Sequence, residues 1–268
     1  MTLTNRHSSL PNSGVALRPS VWAQRCLAVL HGLVLASATA AYGGLCPGEL
    51  ERARDTRQHI DQEWPLRSSG DESTQFIQKL GVRLAQYNAG GSGIPWRFFI
   101  VRNLAPNAFS IGAGYVFVTE GAITFAQNES EIAAILAHEL GHELAGHFCN
   151  QTGYSDSRGL FDIFDSPAPE RSMSVGSGSV RQTIDPRKEE QADQIAVAIL
   201  RSAGYDPQAL LQVAKRLPTG GESHLLEPRR IQALERLVAN HQQSSRDLPD
   251  SEAFNAVRRN LMRDTGQR

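Results

Sequence analysis

The stretch Ala137-His138-Glu139-Leu140-Gly141-His142-Glu143-Leu144 contains the pattern H-E-x-x-H within a segment of strong helical character. Positions four residues apart share one face of a helix, so His138 and His142 can present both imidazoles to one metal ion. Glu139 lies next to the first histidine and points to the same side, where it can hold a water molecule. Two neutral nitrogen ligands, a carboxylate base and open coordination positions are what a zinc hydrolase requires. The pattern therefore predicts a site for one Zn²⁺ per chain.

The surrounding sequence favours this interpretation over a histidine pair on the surface of an ordinary amphipathic helix. Residues 133–137 are apolar nearly all round the preceding turn, which is typical of a buried helix. Asn128 can cap the helix, and Glu131 stands three residues later in a capping-box relation. Two histidines and a glutamate buried without partners would be costly, and a metal ion supplies the partner.

The remaining elements follow from hydrophobic periodicity and from turn residues. Helices are predicted over 47–64, 71–88 and 186–202, with further helices beginning at Asp206-Pro207, at Pro228 and at Asp250. Strand-like runs rich in β-branched and aromatic residues lie at 96–101, 108–111 and 115–119. Helices predominate and one small sheet of about three strands precedes the motif helix, so the predicted fold class is α+β.

Residues 1–40 are predicted to be a signal peptide. Arg25 precedes a short apolar run at 26–35, and small residues follow, with A-x-A patterns that end at Ala38 and Ala40. The run is too short and too interrupted for a comfortable membrane span, and an uncleaved anchor is the alternative. We expect 41–268 to form a single exported domain, in the periplasm or associated with a membrane, that is not an integral membrane protein after processing.

Cys46 and Cys149 remain after removal of the signal, and in an oxidising compartment they can form a disulfide or stay as two free thiols. Lipidation of Cys46 is disfavoured because Leu45 stands where a small residue is wanted. The net charge is −1 with both signs interspersed, so the composition predicts no nucleic-acid partner.

The third metal ligand is not expected to be His147. On a continuous helix, five residues beyond His142 correspond to a rotation of roughly 140°, which points the side chain elsewhere. The metzincin pattern fails as well, because Ala145 and Phe148 stand where that class has glycine and histidine. We interpret His147 as a structural residue or a residue that interacts with the helix C-terminus.

An acidic pair at the start of a later helix supplies the better candidate. Glu189 and Asp193 are four residues apart on one face. Glu189 can bind the metal, while Asp193 can accept a hydrogen bond from the far nitrogen of a histidine ligand and so orient it. The alternative is a solvated charged helix start, which is the better interpretation of Glu190.

These motifs together resemble a family of zinc endopeptidases that includes the CAAX prenyl protease, the HtpX-type proteases and soluble periplasmic quality-control proteases. The resemblance covers roughly residues 71 to 240 and rests on His138-Glu139-Leu140-Gly141-His142, Glu189-x-x-Ala192-Asp193, the strand region 107–119, the helix entry 128–137, Ala203-Gly204-Tyr205-Asp206-Pro207, and Ser223-His224 followed by Arg230. It implies a mainly helical, zincin-like metalloprotease domain with a gluzincin core. This chain departs from the family in the short polar stretch between His142 and Glu189, and in Leu225, where proline is usual.

In this arrangement His138, His142 and Glu189 bind zinc and Glu139 is the catalytic base. His224 or Arg230 is expected to stabilise the oxyanion. His224 has two other possible roles that spacing does not separate: a latch over the metal in some relatives of this type, or a plain surface histidine.

Substrate is expected to add as a strand along an edge formed around Gly114, Tyr115, Val116 and Phe117, with ordinary sheet core as the alternative for these residues. Residues 150–185, a long polar connection, are the candidate mobile loop or lid. The predicted function is hydrolysis of peptide bonds in unfolded or misassembled envelope proteins, with polypeptide substrates and outer-membrane assembly components as partners. The alternative function is a zinc-bearing chaperone or scaffold for envelope assembly, with weak or latent proteolysis.

Overall fold

A computed structural model describes residues 44–149, 185–216, 228–239 and 250–266. The predicted signal peptide, nearly all of the predicted lid and His224 therefore lie outside the described residues, and the predictions for them stay predictions. Within the described part of the chain, none of the helices is both long enough and apolar enough to cross a membrane.

The predicted elements are present with small shifts at their ends. The helices are α1 (Glu49–Glu63), α2 (Glu72–Ala85), α3 (Glu120–Phe125), α4 (Glu129–Leu144), α5 (Pro186–Ala203), α6 (Gln208–Arg216), α7 (Pro228–Val238) and α8 (Glu252–Asp264), and the strands are β1 (Arg97–Val101), β2 (Ala108–Ser110) and β3 (Tyr115–Thr119). The α+β fold class is confirmed. Only α3 was not predicted; Thr119, the last residue of β3, caps it by accepting a hydrogen bond from Ala122 N.

The sheet has the strand order β1-β3-β2, with β1 and β3 parallel and β2 and β3 antiparallel. Strand β3 is thus the central strand of this sheet, so the assumption that 114–117 forms a sheet edge is wrong. Both sides of β3 already bond to neighbours: Val116 is paired with Phe98 on one side and with Ser110 on the other. The proposed edge residues belong instead to sheet core, as the alternative interpretation held.

Alternation along β3 directs its side chains into two separate hydrophobic clusters, one on each face of the sheet. Tyr115 and Phe117 join a cluster with residues of α1 such as Ile60. Val116 and Val118 join the larger core that contains α2, α4 and α5. The sheet therefore lies between α1 and the helical core that carries the motif.

Helix α4 is the centre of that core, and all 16 of its residues are buried. Asn128 caps it as predicted, since its Oδ1 accepts from Glu131 N at 2.9 Å. The capping box is only half formed, because the Glu131 carboxylate accepts from Gln127 N at 2.7 Å and pairs with Arg216. Burial of this carboxylate is tolerated because Arg216 neutralises it.

Beyond α4, Cys149 forms a disulfide with Cys46, which precedes α1. The pairing links two segments 103 residues apart in sequence, so the alternative of two free thiols does not hold in this structure. The crosslink ties the exit of the motif helix to the layer that covers the other face of the sheet.

Candidate metal centre

The two motif histidines and Glu189 converge at one point between α4 and α5. The Nε2 atoms of His138 and His142 are 3.0 Å apart. Glu189 Oε2 lies 3.4 Å from the first of these nitrogens, and Glu189 Oε1 lies 3.5 Å from the second. Two nitrogens bound to one tetrahedral zinc at about 2.1 Å would be about 3.4 Å apart, so the spacing of this tripod suits such an ion.

A glycine allows the two helices to approach closely enough for this convergence. A Cβ atom placed on Gly141 would lie 2.5 Å from the carbonyl oxygen of Ala192 and 2.9 Å from its Cα. Only a residue without a side chain fits there. The ligand candidates of α4 and α5 can therefore face each other across a short distance.

The far nitrogen of His138 bonds to Asp193, as the spacing of the acidic pair suggested. His138 Nδ1 lies 2.9 Å from Asp193 Oδ1, and both residues are buried. A carboxylate can only accept here, so Nδ1 carries a proton and Nε2 is the ring nitrogen that faces Glu189.

Arg230 bridges the two carboxylates of α5. Its Nε and Nη2 donate to Asp193 at 2.9 and 2.8 Å, and its Nη1 lies 2.8 Å from Glu189 Oε2. The side chain is 7% exposed. A buried guanidinium held by two carboxylates is better suited to positioning them than to meeting a substrate oxyanion, so these contacts do not favour the oxyanion role; that role stays a prediction.

The buried, charged surroundings lower the pKa of Glu189 and of His142 and raise the pKa of His138. Burial disfavours the charged form of Glu189, but Arg230 and the histidines outweigh burial and lower the pKa of Glu189 to about 2. Burial lowers the pKa of His142 to about 3. Burial opposes protonation of His138 too, yet hydrogen bonds to Asp193 and Glu189 raise its pKa to about 9. A proton or a divalent cation is thus attracted to the Nε2 side of this cluster.

The cluster fits a metal ion on structural grounds. Glu189 Oε2 is buried and, among the described residues, has no hydrogen-bond partner even though Arg230 Nη1 is near. Two imidazole nitrogens and one carboxylate are the protein ligands of many catalytic zinc sites. Among the described residues, His138, His142 and Glu189 form a group of buried side chains whose ligand atoms all lie within 4.8 Å of one another.

Glu139, the predicted base, is 1% exposed and lies on the same helix as both histidines. Ser110 Oγ donates to its Oε2 at 3.3 Å, which places the carboxylate beside β2. The sequence pattern did not identify Ser110, because no spacing rule links a three-residue strand to a helix almost thirty residues later.

His147 contacts His142, which the assumption of a continuous helix did not anticipate. Helix α4 ends at Leu144, and Gly146 has φ 69°, so the chain turns back at this point. His147 Nδ1 then lies 2.9 Å from His142 Nδ1, and His147 Nε2 lies 3.0 Å from Gln191 Oε1. Burial lowers the pKa of His147. The conclusion that His147 is not placed as a ligand agrees with this geometry, but the reason given for it was wrong.

The turn before β3 is held by acidic side chains. Gly114 N donates to Glu143 Oε1 at 3.2 Å, and Ala113 N donates to Glu49 Oε1 at 2.7 Å. Burial raises the pKa of Glu143 well above its usual value, and the neighbouring Glu49 adds to this effect. The Gly114 amide is therefore occupied by Glu143, which adds to the case against substrate binding there.

A buried helix that carries H-E-x-x-H and meets a glutamate of a later helix, behind a small sheet, defines a metallopeptidase of the gluzincin type. Residues 71–165 match the model of peptidase family M48. The resemblance to this family of endopeptidases is confirmed over these residues.

Three relatives illustrate the similarity. The beta-barrel assembly-enhancing protease of Escherichia coli (strain K12) is 26% identical over 158 residues, 54% of this chain and 32% of that protein. The putative beta-barrel assembly-enhancing protease of Vibrio cholerae serotype O1 is 31% identical over 157 residues, 53% of this chain and 32% of that protein. The mitochondrial metalloendopeptidase OMA1 of Schizosaccharomyces pombe is 24% identical over 175 residues, 63% of this chain and 52% of that protein. The match thus spans about a third of the length of the first two.

Proposed function

We propose that this chain is a zinc-dependent endopeptidase that cleaves unfolded or misassembled polypeptides of the cell envelope. The observation that carries the proposal is the convergence of His138 Nε2, His142 Nε2 and the Glu189 carboxylate within 3.5 Å of one another, with Glu139 buried on the same helix. His138, His142 and Glu189 are the proposed zinc ligands.

Zinc held by these residues would polarise the scissile carbonyl and make a water molecule acidic near neutral pH. Glu139 accepts the proton of the attacking water and later delivers it to the leaving amine. Asp193 orients His138, and Arg230 holds both Asp193 and Glu189 in place. Because these supporting contacts are buried, the ligands are positioned before substrate arrives.

Among the described residues, β2 pairs with β3 on one side, and its other side is the proposed binding site for the substrate backbone. Asn107 O accepts from Thr119 N and Ile111 N donates to Tyr115 O. Backbone groups alternate in direction along an antiparallel strand, so those of Ala108 and Ser110 point away from β3. A peptide added at this edge would pass Glu139, which Ser110 contacts. Main-chain hydrogen bonds bind many sequences, as a protease of unfolded chains requires.

The envelope assignment rests on two supports. Residues 1–40 have the pattern of a signal peptide, and two of the relatives are named for enhancement of beta-barrel assembly. We therefore place the protein in the periplasm, with outer-membrane assembly components as partners.

The test compares the Glu139→Gln variant with wild type for zinc content and casein cleavage. The variant should bind zinc normally and lose cleavage by at least about a hundredfold, because general base catalysis contributes roughly 10²–10⁴. Glu190→Gln is the matched control, since it removes the same charge from an exposed position on α5. Normal cleavage by Glu139→Gln would remove this residue as the base.

A second readout separates a protease from a zinc-bearing chaperone or scaffold. Rescue of an envelope-assembly defect by wild type but not by Glu139→Gln supports proteolysis as the biological role. Equal rescue by both proteins would instead support the chaperone function.

A further inference from the structure

The chain turns at the C-terminal end of α4, and this turn places His147 against His142. Gly146 N donates to Glu143 O at 2.9 Å, and His147 N donates to His142 O at 3.1 Å. These two bonds, together with the left-handed conformation of Gly146, form a Schellman motif. In this motif the residue after the glycine packs against the residue that accepts its amide, which here is His142. The backbone conformation at the end of α4 therefore places the His147 side chain next to His142.

The two rings meet through their δ nitrogens and not through the nitrogens that face the metal site. Their centroids are 5.0 Å apart and their planes are inclined by 69°. The Nδ1 atoms are 2.9 Å apart, which is a hydrogen-bond distance. His142 Nε2 is therefore left to face His138 and Glu189.

A second contact sets the direction of this hydrogen bond. His147 Nε2 lies 3.0 Å from Gln191 Oε1 on α5. An amide oxygen accepts, so His147 Nε2 carries the ring proton and His147 Nδ1 has a lone pair. His142 Nδ1 must then donate, which leaves the lone pair of His142 Nε2 available to a metal ion.

His138 has a corresponding hydrogen bond at its Nδ1, but its acceptor is a carboxylate and not an imidazole. His138 Nδ1 donates to the carboxylate of Asp193 on α5. His142 Nδ1 donates to an imidazole that is itself tied to α5 through Gln191. Each motif histidine thus donates from Nδ1 to an acceptor. For His138 the acceptor is Asp193 on α5, and for His142 it is His147, which is bonded to Gln191 on α5.

We propose that His147 is a positioning residue that fixes the tautomer and the ring orientation of His142 through the relay from His142 to His147 to Gln191. This inference rests on the proposed zinc site. It predicts that what matters at position 147 is a hydrogen-bond acceptor at the place of Nδ1, and not the bulk of an aromatic ring.

The experiment compares His147→Phe, which keeps ring volume and removes the acceptor, with His147→Asn, which keeps an acceptor close to the place of Nδ1. Zinc affinity is measured on the full chain by competition with a chromophoric chelator. Loss of such a supporting contact typically weakens metal binding by about 10- to 100-fold, so His147→Phe should show a loss in this range. His147→Asn should stay within about threefold of wild type, because it restores the acceptor. Equal affinity in Phe and wild type, or equal loss in Phe and Asn, would overturn the proposal.

The visible spectrum of the cobalt-substituted proteins is the second readout. A change in the orientation of His142 alters the ligand field, so His147→Phe should shift the d–d bands and His147→Asn should restore them. A purely structural role for His147 would change thermal stability and leave these bands in place.

Two further variants distinguish a failure of the proposed zinc site from a failure of the proposed role of His147. His142→Ala tests the zinc site itself: if it binds zinc as tightly as wild type, the proposed function fails at its metal centre. Gln191→Met removes the exposed end of the relay and should weaken zinc binding by a few fold. If both His147 variants fail to fold, Gln191→Met decides, because unchanged zinc affinity there contradicts the relay.

Discussion

The Gly141→Ala variant has two opposing effects: it raises the helix propensity of α4, and it introduces a clash between α4 and α5. Alanine is favoured over glycine in a helix interior by about 1 kcal/mol, so α4 alone should become more stable. In the folded protein the new Cβ would lie 2.5 Å from the carbonyl oxygen of Ala192 on α5. The atom it meets belongs to the backbone, which cannot rotate away as a flexible side chain can.

The size of the expected displacement follows from this contact. Ordinary van der Waals contact begins near 3.4 Å, so relief of the clash requires α5 to move by about 3.4 − 2.5 = 0.9 Å. Glu189 and Asp193 flank Ala192 on the same helix and would move with it. Metal–ligand distances tolerate only about ±0.2 Å, so the tripod would no longer close around an ion.

We expect Gly141→Ala to weaken zinc binding by at least about tenfold, in the range seen when ligand positions are disturbed. Overpacking typically costs about 1–3 kcal/mol, which offsets or exceeds the gain in propensity, so the zinc-free protein should not become more stable. Zinc affinity is measured by chelator competition and stability by thermal unfolding in chelator. Gly44→Ala is the control, since a Cβ at Gly44 meets no atom within 4 Å.

The reasoning is refuted if Gly141→Ala binds zinc as tightly as wild type and unfolds at a higher temperature. That result would mean that α5 adapts without moving Glu189, and that the close approach at Gly141 does not govern the geometry of the site.

Two further predictions concern the crosslink and the substrate edge. Replacing Cys46 and Cys149 together by alanine opens a loop of 103 residues, for which the chain-entropy relation gives a loss of about 4.7 kcal/mol in the free energy of unfolding. Denaturant unfolding with and without reductant measures this loss; a difference below about 1 kcal/mol would show that the crosslink contributes little. Ser110→Pro removes the outward N–H of β2 and should lower kcat/KM for peptide cleavage by about fivefold, the value of one hydrogen bond. Ser110→Ala keeps that N–H and, like Ser110→Pro, lacks the hydroxyl that contacts Glu139, so it is the reference against which the fivefold loss is measured. Equal activity of the two variants would exclude β2 as the substrate edge.

Some features of the site could be predicted from the sequence because they depend on short-range geometry. His138 and His142 share a face of any helix that contains them, and Glu189 and Asp193 do the same one helix later. Asn128 and Gly204 marked helix ends for equally local reasons, as a cap and as a left-handed stop.

The contact of His147 with His142 also arises from local structure, yet it escaped prediction. The signal was Gly146, which ends the helix in the left-handed conformation and turns the next residue back. Gly146 lies two residues beyond Leu144, the last residue of α4, and is a stop signal of the same kind as Gly204. The sequence analysis assumed a continuous helix through this position.

Apart from α3, the types of the elements could be predicted from the sequence alone, and so could the helix faces and the donor atoms available for a metal, because periodicity and side-chain chemistry are properties of single residues and their near neighbours. The three-dimensional fold was needed to show which strand is central, that Cys46 and Cys149 pair, that Arg230 bridges two carboxylates, and how closely α5 approaches α4. Those features depend on contacts between segments far apart in sequence, where no local repeat records the distance. Gly141 connects local sequence with tertiary structure, because the absence of a side chain at this position of α4 allows α5 to approach closely.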